Sequence, residues 1–292
     1  MKRALLALVL TTSACSSAIS GTATPLTGNL ALVDARGTGS ALDGVQTAAE
    51  AVFSYDSANP AAFDQAVAAN VTGAAKDQLT TLFEQVRKSK QAVHLATRVR
   101  AAAALDFTGD RVRELAVLEQ DSGATKGLAT VALTALKADG RWRVSDIAVN
   151  PAQPSPAPRP DDGTPAGSRD AAVAGAKAIA GGLFTTDSAD PDGPYARAEA
   201  VIADPLLSDY RAKKASYVDA IRKSGTKVTL GPNPMAGVVA LTGGRAVVLF
   251  FTTLQVTDAA GKATGKPFTV EFDVVREGAS WKATAVRPVT AS

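Results

Sequence analysis

Apolar residues recur at helical spacing early in each half of the chain and gather into strand-length runs later. Leu42, Val45, Ala49, Val52 and Phe53 share one helical face, behind Ser40 and Asp43, which resemble a capping box. Asn59-Pro60 supplies an N-cap and a first-turn proline for a short helix carrying Phe63 and Val67. A third helix aligns Leu79, Leu82, Phe83 and Val86. Strands are then expected over 93–100, 103–107, 111–119, 128–136 and 142–149, with turns at Thr108-Gly109-Asp110 and Ala138-Asp139-Gly140. The second half repeats the order. Ser168 is expected to cap a helix with Val173, Ala176, Ala180 and Leu183 inward, and Asp204-Pro205 to start another with Leu206, Tyr210, Tyr217 and Ile221 on a stripe. Strands are expected over 227–230, 238–241, 245–256, 268–276 and 281–286. Helices followed by consecutive antiparallel strands is an α+β order.

The two halves also match residue by residue. Ala49-Glu-Ala-Val-Phe-Ser-Tyr-Asp-Ser-Ala-Asn-Pro60 aligns without gaps on Ala180-Gly-Gly-Leu-Phe-Thr-Thr-Asp-Ser-Ala-Asp-Pro191. Gly109-Asp110-Arg111 falls where the second half has Gly243-Gly244-Arg245, and Trp142 where it has Trp281. A duplicated domain explains landmarks that keep their order and spacing. A proline-rich spacer at 150–167 divides the copies, giving domains at 41–149 and 168–292. With few contacts expected across that spacer, each copy should fold by itself.

Charge and composition narrow the functional classes. The chain has 292 residues, 46% hydrophobic, with 31 Lys+Arg against 28 Asp+Glu; that is too apolar and too balanced for a disordered polyelectrolyte. Basic and acidic residues are interleaved, which leaves no footprint for nucleic acid. One Cys and one His exclude a disulfide framework and a His/Cys metal cage within the chain, and no cofactor motif is present. The first fifteen residues add an address. Met1-Lys2-Arg3, the apolar run 4–10 and Thr12-Ser13-Ala14-Cys15 read as a signal peptide over 1–14, with Cys15 at the position of a bacterial lipobox thiol. Residues 15–40 are then expected to form a lipidated, flexible tether on the outer face of the cell membrane. Ordinary cleavage after Ala14, releasing a free protein, is the alternative.

Phe53-Ser-Tyr-Asp-Ser-Ala-Asn-Pro60, the amphipathic helix behind it, and Asp139-Gly-Arg-Trp-Arg-Val-Ser-Asp146 resemble the Mce-associated proteins of actinobacteria. The resemblance covers 41–149 and, more weakly, 168–289, where Thr185-Thr186-Asp187 replaces Ser-Tyr-Asp and Ala279-Ser280-Trp281 replaces Gly-Arg-Trp. It implies two tandem cones of the nuclear transport factor 2 (NTF2) type, each a curved antiparallel sheet wrapped on its own helices. It further implies a non-enzymatic accessory lipoprotein, partnered with components of a lipid- or sterol-importing Mce transporter, with the lipid on Cys15 replacing the membrane helix of many members.

Candidate chemistry is sparse, and no catalytic, cofactor or metal residue is assigned. His94, the single histidine, falls in a strand of the first half and has no evident counterpart in the second. Tyr55-Asp56 invites comparison with ketosteroid isomerases, but a helix-end dipeptide suits capping better, and Asp56 and Asp187 are expected to cap the helices behind them. Trp142 and Trp281 should anchor the two cores. Gly243-Gly244 and Gly261 lack the strand–loop–helix context of a phosphate cradle, and Arg87-Lys88 and Lys213-Lys214 read as solvated helix charges. Two alternatives to the accessory role stay open: a carrier of a lipid or small apolar ligand in the cones, and an isomerase-like enzyme.

Overall fold

The computed structural model describes residues 29–88, 92–151 and 161–291. The signal peptide (1–14), Cys15 with the tether as far as residue 28, and 152–160 of the spacer lie outside the described residues. In the first half, α1 (Ala35–Phe53), β1 (Tyr55–Asp56), α2 (Pro60–Asn70) and α3 (Ala75–Lys88) precede β2 (His94–Phe107), β3 (Arg111–Asp121), β4 (Lys126–Ala138) and β5 (Arg141–Val149). In the second, α4 (Pro165–Phe184), β6 (Thr186–Asp187), α5 (Asp192–Ala200), α6 (Leu206–Ala212) and α7 (Lys214–Ser224) come first. They precede β7 (Lys227–Leu230), β8 (Met235–Thr242), β9 (Arg245–Thr257), β10 (Ala263–Glu277) and β11 (Ser280–Pro288). The class is α+β, with helices against one large antiparallel sheet.

Several local expectations are corrected. α1 starts at Ala35, within the stretch read as tether, because Asp34 caps it by accepting from the Gly37 N–H at 2.8 Å. α4 starts at Pro165, with Thr164 rather than Ser168 as its cap. The strands expected over 93–100 and 103–107 are one strand, β2, whose bulges at Arg100 and Leu105 reset the side-chain alternation. The helix expected from Asp204 breaks at Lys213 into α6 and α7, and α5 carries Gly193-Pro194, a pair that resembles a turn.

The duplication extends to irregularities that no fold class demands. Bulges fall at Leu105 and at its counterpart Val239. They recur at Ser145 and Thr284, and each of these hydroxyls donates to the carbonyl of the facing strand, Thr134 or Asp273, at 3.2 Å. α1 crosses the buried Trp142 at Gly44, and α4 crosses Trp281 at Gly175. A Cβ at either glycine would lie 2.6 or 2.4 Å from the indole side chain, so both crossings need the missing side chain. Val71 and Ile202, each fully or almost fully buried, form parallel bridges to Val144 and Ala283 and so cover part of the sheet's outer edges.

The halves join through β2 and β8, equivalent strands that meet at the single pair Ala104–Val238. Alignment of Gly109 with Gly243 makes those two residues counterparts, so the junction has local two-fold character. The sheet creases there. Its helix-facing sides form two separate cores, one with Leu79, Phe83, Leu118 and Trp142, the other with Ile179, Phe250, Phe272 and Trp281. Its back faces close on each other in a third core of Ala103, Leu115, Val117, Ala132, Met235, Leu249 and Phe251. Thr130 and Thr269, again counterparts, share a hydroxyl hydrogen bond of 2.9 Å across this seam. The expectation of few contacts between the copies is therefore corrected: apolar back faces left wet would cost both halves the burial that they share.

The N-terminal strap, residues 29–33, spans the same seam. The Leu30 N–H donates to the Phe107 carbonyl, and Asn29 bonds both Leu105 and Phe107. From the other half, the buried Arg169 donates to the carbonyls of Asn29 at 2.9 Å and Ala31 at 3.0 Å. Ala31 joins the first core, and Leu32 packs on the second.

Candidate functional site

The structure brings Asp56 and His94 together, but at the surface. β1 pairs with the start of β2, setting Asp56 directly opposite His94, with Nδ1 to Oδ2 at 3.5 Å. His94 has a side chain 71% exposed, so solvent screens the pair. The same register in the second half sets Asp187 opposite Lys227 at 3.3 Å. His94 therefore does have a counterpart, a lysine, and the shared property is a cation facing an aspartate. Neither aspartate caps a helix directly; each accepts from the N–H two residues on, Ala58 or Ala189, in an Asx turn. The α2 cap is Asn59, which accepts from the Ala62 N–H, while Asp190, one residue ahead of the Pro191 N-cap of α5, accepts from the Gly193 N–H. The Asp187 carboxyl is held below its ordinary range by the Ala189 N–H and then by Lys227. Tyr55 is buried elsewhere, edge-on to Phe63 at 5.5 Å and near Phe83.

The unusual ionisable group is Glu114, which sequence reasoning passed over. It is 0% exposed, and neither carboxyl oxygen has a hydrogen-bond partner. On β3 it lies between Ala104 of β2 and Leu133 of β4, on the helix-facing side with Val112, Ala116 and Leu118. Burial pushes its carboxyl well above the usual carboxylate range, and the negative charge of Asp43 on α1 adds to the shift. Its counterpart in the second half, Val248, is equally buried. The sequence carries no clear signal for it, since Glu114 stands beside Arg113 at the edge of the unbroken apolar run 115–118.

Two hollows belong to the second half. A groove of about 320 Å3 runs beside α4 along Ala171, Ala174, Gly175 and Trp281. A larger cleft of about 660 Å3 lies between the α5–α6 connection and the β8–β9 and β10–β11 hairpins. Core residues Ile202, Ala246 and Val274 line it, with Leu207 and Leu241 half-buried and Arg245 exposed. Nearby, Tyr195, Tyr210 and Tyr217 stack at 4.7 and 4.8 Å, and burial pushes the Tyr210 hydroxyl up to about 12. Among the described residues no cluster of three His, Cys, Asp or Glu is arranged for a metal, and no helix is long and apolar enough to cross a membrane.

No protein-family model matches the chain, and no curated protein matches it. Among solved structures the chain is similar to an "Ntf2 like protein involved in plasmid conjugation", at 13% identity over 88% of this chain and 98% of that one, with a TM-score of 0.26. It is also similar to the intermembrane space region of chloroplast protein ARC6, at 18% identity over 40% of this chain and 87% of that one, with a TM-score of 0.26. Both scores are too low to carry more than the observation itself.

Proposed function

We propose that the protein is a non-enzymatic, envelope-anchored accessory lipoprotein of an Mce-type lipid or sterol importer, built from two NTF2-like cones. The observation that supports an accessory role is that each half packs its own helices on its own sheet. Large side chains of its own helices and strands occupy the space beneath α1 and α4, and two halves welded by a third core present a rigid double platform. The transporter association rests on the Ser-Tyr-Asp and Asp-Gly-Arg-Trp resemblance, and the anchor on Cys15. The carrier reading has one observation in its favour, the open cleft of the second half.

A lipid-uptake assay in cells, with the protein and transporter quantified alongside, tests this. Trp142→Ala should cost about 3–5 kcal/mol of stability and lower transporter abundance and uptake together. His94→Ala, at an exposed site, should leave both unchanged. A folded, abundant His94 variant without uptake would refute the accessory role. Cys15→Ser should release the protein from the membrane and abolish incorporation of labelled fatty acid; labelling equal to the native chain would rule out that anchor.

A further inference from the structure

We infer that the surface of α6 and α7 around Tyr217 docks a protein segment that is acidic and carries an aromatic side chain. The two copies differ here. The ungapped alignment of Phe53 with Phe184 continues through Val71 and Ile202, whose parallel bridges also correspond. On that register Leu79, Leu82, Phe83 and Val86 of α3 have Tyr210, Lys213, Lys214 and Tyr217 as counterparts. The first four pack on the core of the first half, and α3 lies on β5. In the second half the helix breaks at Lys213, and α7 leans on α5 and β6, with Val218 as its one buried residue. Three of the four positions that serve the core in one copy, those of Lys213, Lys214 and Tyr217, are exposed in the other.

The tyrosines form a column with one open end. Tyr195 stacks on Tyr210 at an interplanar angle of 12°, and Tyr210 on Tyr217 at 28°. Tyr195 is buried, and Lys214 Nζ lies 4.9 Å from its ring centroid. Tyr217 ends the column at 41% exposure, and among the described residues it is the one exposed aromatic side chain. Stacking on Tyr210 restricts this ring before anything binds, so a partner that covers it loses little further side-chain entropy. Ordered, exposed tyrosines are among the residues that carry binding energy at protein interfaces. Tyr217 lines neither hollow of the second half; it offers an open platform, which suits a segment of another chain better than an enclosed small molecule.

The charges around the platform select its partner. Residues 206–224 hold five basic residues against two acidic ones, in a chain that is otherwise close to balanced. Arg211 is neutralised by Glu199, and Lys223 by Asp219. Among the described residues the side chains of Lys213 and Arg222 have neither an ion-pair nor a hydrogen-bond partner, and Lys214 is engaged only by the Tyr195 ring. Lys213 precedes Tyr217 by four residues, about one helical turn. The uncompensated positive charge is complementary to carboxylates, and the open ring face to an aromatic side chain set between them. Docking here does not depend on the transporter association. Its test uses purified protein and a synthetic peptide, so either can fail without the other.

The experiment is titration of the purified, isotope-labelled full chain with acetyl-Glu-Asp-Trp-Glu-Asp-amide, followed by backbone amide chemical shifts. Saturable shifts confined to α6 and α7 are expected, with a Kd of about 1 mM or tighter. Replacing the peptide's acids by Gln and Asn, or its Trp by Ala, should weaken binding by ~5-fold or more, and added salt should weaken the acidic peptide. Lys213→Glu, at an exposed position, should weaken the acidic peptide to a similar extent and leave the melting transition unchanged. Tyr217→Ser should lose binding, and Tyr217→Phe, which keeps the ring, should retain it. Absence of saturable shifts in α6 and α7 would overturn the inference, as would equal affinity for the uncharged peptide or indifference to Lys213→Glu. Binding to phosphatidylglycerol vesicles without binding to the peptide would assign the surface to a membrane and overturn it as well.

Discussion

Replacing Glu114 by valine is expected to stabilise the protein by about 1–3 kcal/mol at neutral pH, the usual cost of a buried polar group without a partner. Valine is the residue that the second half carries at the same place, so the backbone already accommodates its shape. The gain should grow with pH, and the sign follows from the raised pKa. A carboxyl whose folded pKa lies above its unfolded value contributes its full share of stability below the ordinary carboxylate range. That share is lost as pH rises through the range toward the folded pKa, because the unfolded chain ionises freely while the folded one resists. The native protein should therefore weaken on going from acid toward neutral pH by an amount absent from Glu114→Val. Asp43→Asn should recover a smaller part in the same direction, since burial is the larger cause and Asp43 the lesser. Chemical denaturation at several pH values measures this. Parallel stability curves for the native and valine chains would show that Glu114 is solvated or paired in solution.

The second large effect concerns the seam. Residues 29–151 and 161–291, expressed as separate chains, should each expose a back face whose Leu115, Val117, Leu249 and Phe251 are at most 1% exposed in the whole protein. Each face meets its own counterpart through Ala104–Val238 and Thr130–Thr269, so it is close to self-complementary. The separated halves should self-associate, and on mixing should form a one-to-one complex. In the intact chain, Leu115→Asp puts an unpaired charge into this core and should cost roughly 3 kcal/mol or more. Two halves that stay monomeric at high concentration and melt as the intact chain does would mean that the seam contributes little.

Much of this architecture was legible in the sequence. The strand-length runs at 111–119, 128–136 and 142–149, punctuated by the turns at 108–110 and 138–140, located β3, β4 and β5. Asn59-Pro60 fixed the start of α2 by local chemistry alone. Reading failed where tertiary contacts override local preference. Gly37 and Gly39 suggested a tether, but Thr38 is buried and α1 is held from Asp34 onward. The bulges at Arg100 and Leu105 shift the period by one residue and split β2 in two. The third core was invisible because Ala103, Leu115 and Val117 lie on the face that a single curved sheet would turn to water.

The strap at residues 29–33 determines how the molecule carries a mechanical load. Tension applied to the chain ahead of Asn29 would not peel α1 from one end of a domain. It would enter at the seam, where the Leu30–Phe107 bond, the two Asn29 side-chain bonds and the two Arg169 donations act together. A pull would thus be divided between both copies at once, and neither could be unravelled from this end before the bonds that hold the strap to the other had ruptured.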